Sequence, residues 1–266
     1  RCVVNVSALW RYPVKSLTGN SERSMTLDRR GPAGDRRWML MDERGHFLTQ
    51  RQLPSMCRLH AEEQAGGVLL RHLDRSESIW LEKPCGAKPV RVVVWEDSCE
   101  ALDAGEGAAQ CLSAWLGQPV RLCYQPDDSE RQIDLTYARA GDQFSFADGF
   151  PFLLCTEASL RLLEDAYGDV LAMQRFRPNI VVAGTTPFAE LTWRRLRIGD
   201  VDFDVVKPCT RCVIPSLDPR TGERQRAVSL LLRDHCKHED KIVFGQNLIH
   251  RSLGEIRCGD PVSVLA

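Results

Sequence analysis

The densest run of reactive side chains is Lys207-Pro208-Cys209-Thr210-Arg211-Cys212. Two thiols in a C-x-x-C spacing, beside a lysine and an arginine, are expected to favour the thiolate, the form that binds metal or attacks an electrophile. Three readings of the pair stand open. A thioredoxin-type redox pair needs its second cysteine inside a helix, and Pro215 in Val213-Ile214-Pro215 opposes one. A zinc site would combine Cys209 and Cys212 with two of His235, Cys236 and His238. That spacing is loosely zinc-like, but His-Cys-x-His is an awkward second half, and a chain of this length needs no metal staple. The third reading is a single thiolate on a soft transition metal, with the other cysteine buried.

Cations recur where strands begin or end. Lys15-Ser16 follows Tyr12-Pro13-Val14, Asp35-Arg36-Arg37 opens a hairpin strand, and Arg175-Phe176-Arg177-Pro178-Asn179 precedes the apolar run Ile180-Val181-Val182-Ala183. Cations beside Asn, Ser and Thr suit a bound anion such as a phosphate. Each segment alone is also what a solvated strand end looks like. Phe244-Gly245-Gln246-Asn247 reads as a turn. Together the four segments would offer cations and hydrogen bonds to something heteroaromatic and anionic. None of the six histidines forms an H-x-x-x-H pair, and no Gly-x-Ser-x-Gly elbow, Walker loop or Gly-x-Gly-x-x-Gly fingerprint is present. Asp127-Asp128 reads as surface charge and not as an acid–base pair.

The elements that must position these residues are mostly short strands. Val3–Trp10 is a first strand candidate. Trp38–Asp42 and His46–Thr49 form a hairpin about Gly45, and Val68–Leu73, Ile79–Leu81, Val90–Trp95 and Val120–Tyr124 follow. Gly107–Leu116 reads as a helix. Gln125–Gln132 has no apolar residue but Pro126, which marks either a linker or a long surface loop. Beyond it, Phe150–Cys155 is an apolar run, Thr156 an N-cap for a helix over Glu157–Tyr167, and Ala227–Cys236 a last helix. Leu196–Phe203 reads as strand, glycine turn, strand. A related phrase recurs at Ile256–Val262, too little for a repeat but in keeping with a barrel of short strands with glycine corners.

The 266 residues allow one large or two small domains. Apolar content of 43% and charged content of 27% are ordinary for a globular chain. A net charge of −1 gives no sign of a nucleic-acid partner. Eleven cysteines, an odd number and most of them scattered singly, imply a reducing compartment, here the cytoplasm, with most acting as small buried hydrophobes. No membrane segment or signal peptide is visible. The chain starts at Arg1, not Met, as a trimmed one would, which leaves an N-terminal anchor open.

Four motifs in order then make the sequence recognisable: Tyr-Pro-Val-Lys-Ser at 12–16, Phe-Arg-Pro-Asn-Ile-Val-Val at 176–182, Lys-Pro-Cys-x-Arg-Cys at 207–212, and Asp218-Pro219. The chain resembles the MOSC family, named for the C-terminal domain of molybdenum-cofactor sulfurases. It most resembles the branch with an added N-terminal β-barrel domain, which includes amidoxime-reducing components. The resemblance implies a β-rich α+β fold, with an N-terminal β-barrel-like domain over 1–124 and a MOSC β-barrel domain with a few helices over 125–266. It implies a molybdenum–molybdopterin cofactor with Cys212 as metal ligand and catalytic centre, Cys209 being no ligand. Lys15, Ser16 and Arg36 match residues that hold the cofactor from the N-terminal part. Arg177 and Asn179 match contacts in the Arg-Pro-Asn motif. Thr210, Arg211 and Asn247 match positions lining the site, and Asp148 an acidic residue at its edge. Gly149 stands where a relative has a hydroxyl residue.

The implied chemistry is two-electron reduction of N-hydroxylated small molecules, in a detoxifying role independent of pyridoxal phosphate. Many bacterial relatives carry a C-terminal ferredoxin domain, whereas this chain ends at Ala266 with no C-x4-C-x2-C run. Electrons are therefore expected from a separate donor protein of ferredoxin or cytochrome b5 type, unless such a segment was removed from this chain. The alternatives kept beside this reading are a non-catalytic cofactor carrier or sulfuration module, and a zinc-stapled interaction protein.

Overall fold

A computed structural model describes residues 3–266; Cys2, one of the cysteines read as small hydrophobes, lies outside them. The fold is strand-rich α+β with a barrel-like N-terminal part. Its largest sheet has nine strands, running in the order Val262–Val264, Arg195–Ile198, Val201–Thr210, Lys241–His250, Phe152–Thr156, Ile180–Ala183, Asn5–Arg11 and Asn20–Glu22, with Lys237–His238 paired off this path. Phe152–Thr156 and Ile180–Ala183 are parallel, as a helical crossover through Glu157–Tyr167 allows. The N-terminal part contributes a four-stranded sheet, Trp38–Met41, Arg121–Tyr124, Asp97–Asp103 and Pro89–Val94, and a three-stranded meander over Leu59–Gln64, Gly67–His72 and Glu77–Glu82.

Local chemistry explains the helices. Thr156 Oγ1 accepts the Ser159 N–H and so satisfies one of the free amides at the start of Glu157–Tyr167. Gly168 ends that helix at φ 78°, where only glycine rests without strain. Glu106–Leu116 turns Ala108, Ala109, Leu112, Trp115 and Leu116 onto the core. No helix of the described residues is long and apolar enough to cross a membrane.

Three expectations need correction. Phe244–Asn247 is no turn but the middle of the ten-residue strand Lys241–His250, hydrogen-bonded on both sides. Gly245 there adopts φ 82° opposite an irregularity between Pro208 and Thr210, so a β-bulge imitates a turn in the sequence. Gln125–Gln132 is no free linker: Gln125 is 0% and Arg131 3% exposed. Buried guanidiniums capture its backbone, Arg37 reaching the Gln125 carbonyl at 3.0 Å and Arg30 that of Ser129 at 2.8 Å. Finally, five of the ten described cysteines are buried, namely Cys57, Cys99, Cys123, Cys155 and Cys236, so burial accounts for half of them and not for most.

Two cores result. One gathers Val14, Leu17, Trp38, Leu40, Val68 and Leu112. The other gathers Phe152, Phe203 and Leu248 with Val6, Leu9, Met25 and Leu27 from the chain's start. Each such side chain contributes roughly 1.5–3 kcal/mol by leaving water. The site lies where the first segments meet the large sheet.

Candidate functional site

All ten residues singled out in the sequence line one cavity of about 150 Å³: Lys15, Ser16, Arg36, Asp148, Arg177, Asn179, Thr210, Arg211, Cys212 and Asn247. Six separate segments therefore converge, and their cations are not isolated strand ends.

Tyr12 organises two of them. Its buried ring has the guanidinium carbons of Arg36 and Arg177 at 4.3 and 4.4 Å from its centroid. Its hydroxyl donates to the Pro178 carbonyl at 3.0 Å and its amide to Asp35 at 2.8 Å. Burial raises the Tyr12 phenol well above its ordinary pKa despite both arginines, so the ring stays neutral. Arg36 donates to Asp35 at 2.5 Å and to the Asn179 side-chain oxygen at 3.1 Å. That oxygen also accepts the Leu153 amide, and the Asn179 side-chain nitrogen donates to the Trp10 carbonyl. Asn179 thus joins two strands of the large sheet and orients Arg36.

The backbone is strained here. Ser16, Arg36 and Arg177 have φ of 66°, 47° and 57°, and Trp95, in contact with Asp148, has φ 57°. Non-glycine residues held left-handed cost on the order of 1–3 kcal/mol each and collect at functional sites.

A second cluster surrounds Asp148. Its carboxylate accepts Lys15 Nζ at 2.5 Å, Arg51 at 3.2 Å and the Trp95 indole at 3.2 Å. Burial alone would raise the carboxyl, but Lys15 and Arg51 outweigh it and hold it well below the usual range. Its side chain is still 56% exposed to the cavity. Burial pushes Lys15 down to about 8, with Asp148 offsetting part of the effect. The segment delivering Asp148 is fixed from the supposed linker: Arg131 donates to the carbonyls of Ser145 and Ala147 at 2.6 and 3.1 Å.

Arg51 is the residue the sequence reading missed. It lines the cavity, faces Cys212, and stacks 4.8 Å from the Trp95 ring. Its only signal was one more cation after a hairpin arm, in Thr49-Gln50-Arg51-Gln52.

Strand Val201–Thr210 carries the cysteine pair to the cavity, and a short turn over Ile214–Ser216 follows. Cys212 stands exposed at the cavity, not inside a helix. Cys209 is half-buried and accepts Arg211 Nη1 at 3.0 Å. Lys207, expected beside the thiols, instead extends over the Tyr137 ring at 4.6 Å. Asn247 donates to the Lys207 carbonyl at 3.2 Å and so ties the two central strands at the cavity floor. The zinc reading fails among the described residues, which hold no group of three or more His, Cys, Asp or Glu side chains able to share a metal. Cys236 packs into an apolar core, while His235 and His238 face solvent.

The sequence pattern of the MOSC N-terminal beta barrel domain matches residues 3–119, and that of the MOSC domain residues 141–263. Mitochondrial amidoxime-reducing component 1 of Mus musculus is 33% identical, over 99% of this chain and 83% of its own length. The chain belongs to the MOSC family. The molybdenum cofactor sulfurase of Anopheles gambiae is also 33% identical, over 80% of this MOSC chain but 30% of its own length. Among solved structures, the YUAD protein of Bacillus subtilis aligns with 98% of this chain and 94% of its own at TM-score 0.47 and 11% identity, a likeness too loose to bear on function.

In this MOSC protein the donor set fits an anionic, metal-bearing group. Five cationic side chains (Lys15, Arg36, Arg51, Arg177 and Arg211) and one carboxylate, Asp148, line the cavity, while buried Asp35 pairs with Arg36. Arg51 Nε, Arg177 Nη2 and Arg211 Nε are buried without a protein partner. Such donors are costly unless something accepts from them. A Cβ at Gly149 would meet nothing within 4 Å, so the cavity keeps open space there. The exposed thiol of Cys212 offers a soft donor in this basic setting.

Proposed function

We propose that this MOSC protein is a molybdenum-cofactor-dependent reductase of N-hydroxylated compounds, among them amidoximes, hydroxylamines and N-hydroxylated bases. The observation behind it is the convergence of Cys212 with five cations on one cavity. The match to amidoxime-reducing components along nearly the whole chain supports the substrate class. Cys212 would be the protein ligand to molybdenum. Lys15, Ser16, Arg36 and Arg177 would hold the anionic molybdopterin, with Asn179 orienting Arg36, and Thr210, Arg211, Asn247 and Asp148 would enclose it.

The reaction is R–NH–OH + 2e⁻ + 2H⁺ → R–NH2 + H2O. The N–O bond breaks, nitrogen gains the electron pair and a proton, and the oxygen leaves as water. The bound molybdenum centre supplies the two-electron redox step. The chain's own part is electrostatic. Arg51 and Lys15 keep the neighbourhood of Cys212 positive, which favours a departing oxygen that gathers negative charge. Asp148 fixes both cations in place. Electrons would arrive from a separate donor protein of ferredoxin or cytochrome b5 type. The ten described cysteines are free thiols, in keeping with a reducing, cytoplasmic setting.

The likeness to sulfurases favours one second reading, a cofactor carrier or sulfuration module. Molybdenum-loaded protein supplied with a reduced dye separates the two. Amine formed from hydroxylamine supports the reductase, whereas full cofactor occupancy without turnover supports the carrier.

A further inference from the structure

Val94 pairs with Asp97 across the hairpin of Pro89–Val94 and Asp97–Asp103, so Trp95 and Glu96 alone make its turn. Trp95 holds φ 57° there. A positive φ at the first position of a two-residue turn suits glycine, and a bulky aromatic residue in that conformation is strained. Burial does little to offset the strain, because the indole lies at the surface, 49% exposed. Such strain persists only where surrounding contacts enforce it, and it gathers at functional sites. The contacts of this side chain lead to the Cys212 cavity. Its indole N–H donates to Asp148 at 3.2 Å, and the Arg51 guanidinium carbon lies 4.8 Å from its ring centroid. The Phe47 ring tilts against it at 5.1 Å and also lies 5.5 Å from Lys15 Nζ. One aromatic pair thus meets Lys15, Arg51 and Asp148, all of which line the cavity with Cys212, while Trp95 and Phe47 stand outside its wall. We propose that Trp95 is a positioning residue, whose ring and indole N–H hold Arg51 and Asp148 in place and so fix the positive charge that faces Cys212.

Arg51 needs such a support. Its guanidinium hydrogen bonds, to Thr49 at 3.4 Å and to Asp148 at 3.2 Å, are long, and the Asp148 side chain is itself 56% exposed. A loose ion pair of this kind does little to hold a long, many-rotamer side chain in one place. A planar guanidinium laid against an indole loses much of that freedom, because the ring face attracts the cation and fixes the plane in which it lies. The indole N–H acts on the other partner, taking up a lone pair of the Asp148 carboxylate and setting the oxygen that Arg51 must meet. Resting on the reductase reading, the role of Trp95 is then to keep Arg51 where negative charge gathers on the departing oxygen.

The test compares iodoacetate with iodoacetamide at Cys212, by peptide mass spectrometry, in the full chain purified without cofactor, where the thiol is free. Both reagents alkylate the same thiolate and only the first is an anion, so the ratio of their rates reads the charge around the sulfur and not the amount of thiolate. Trp95→Gly removes the side chain and relaxes the turn. The ratio should fall about threefold or more, close to its value in Arg51→Gln, while the melting midpoint drops by less than about 5 °C. Trp95→Phe, which keeps a ring for Arg51 but no N–H for Asp148, should recover at least about half of the lost ratio. In the molybdenum-loaded protein supplied with hydroxylamine and a reduced dye, Trp95→Gly should lower kcat about tenfold and leave KM nearly unchanged. An unchanged ratio in Trp95→Gly would overturn the proposal, as would a Trp95→Phe no better than Trp95→Gly. So would a larger drop in melting midpoint, since the residue would then serve the fold. Wild-type protein without turnover sinks the reductase reading and leaves the alkylation ratio to decide this inference. Turnover whose kcat is unmoved in Trp95→Gly sinks this inference and leaves the reductase standing.

Discussion

Lys15 shows how a single residue can be both read and misjudged from sequence. Its place after a strand suggested an anion contact, but nothing in the sequence told of its burial or of Asp148 beside it. Burial holds its pKa near 8, so it is charged below that pH and neutral above. Affinity of the apoprotein for the anionic pterin should therefore decline as pH rises through about 8, and Lys15→Met should flatten that decline in a fluorescence titration. A pH-independent wild type would contradict this. Tyr12 was part of a motif yet earned no role, because its part depends on two arginines far apart in the chain stacking on one ring. Tyr12→Leu should weaken retention of the cofactor about tenfold, given cation–π contacts of about 1–2 kcal/mol when desolvated; pterin per chain after dialysis measures it. Arg51 was missed since a lone arginine in a polar stretch looks like any solvated loop.

Elements with a strong local signal were legible. Helix Glu157–Tyr167 has its Thr156 cap and its terminal glycine, and Ile180–Ala183 is a plain apolar run. Asp97–Asp103 was not legible, because only Cys99 and Ala101 of its residues are buried and aspartates stand at both its ends. Lys241–His250 was hidden by its own bulge, where Gly245, Gln246 and Asn247 imitate a turn. That bulge matters for the site, since it lies across from the strand end bearing Cys209. A side chain at Gly245 would combine a positive φ with a Cβ 2.6 Å from the Leu154 carbonyl oxygen and 2.9 Å from the Cys155 sulfur. Gly245→Ala should cost about 3 kcal/mol or more, from backbone strain plus the clash. Chemical denaturation would show it, and a loss below about 1 kcal/mol would mean the bulge relaxes freely.

At the scale of the molecule, the two-part organisation was visible in the motifs but the threading was not. Asn5–Arg11 and Asn20–Glu22 sit in the same sheet as Ile180–Ala183, and Glu255–Arg257 pairs with Ser24–Asp28. Such pairings join residues more than 150 positions apart, which no local pattern encodes. A fragment over 125–266 would lack the strand that covers Ile180–Ala183 and the Val6, Leu9, Met25 and Leu27 side chains of its core. It should aggregate or remain unfolded by circular dichroism, since an unpaired strand edge invites association. A monomeric, cooperatively melting fragment would show the second half to be self-sufficient. The same threading explains the site, because the first segments bring Lys15, Ser16 and Arg36 against the Cys212 strand end only when both halves are present.

The most direct test is elemental analysis of the purified protein, expressed in a host that makes the cofactor, beside its Cys212→Ala and Cys209→Ala variants. Molybdenum near one per chain in the wild type and in Cys209→Ala, but below a tenth of that in a folded Cys212→Ala, is the expected result. No molybdenum in the wild type, zinc in its place, or equal loss from both variants would contradict the account.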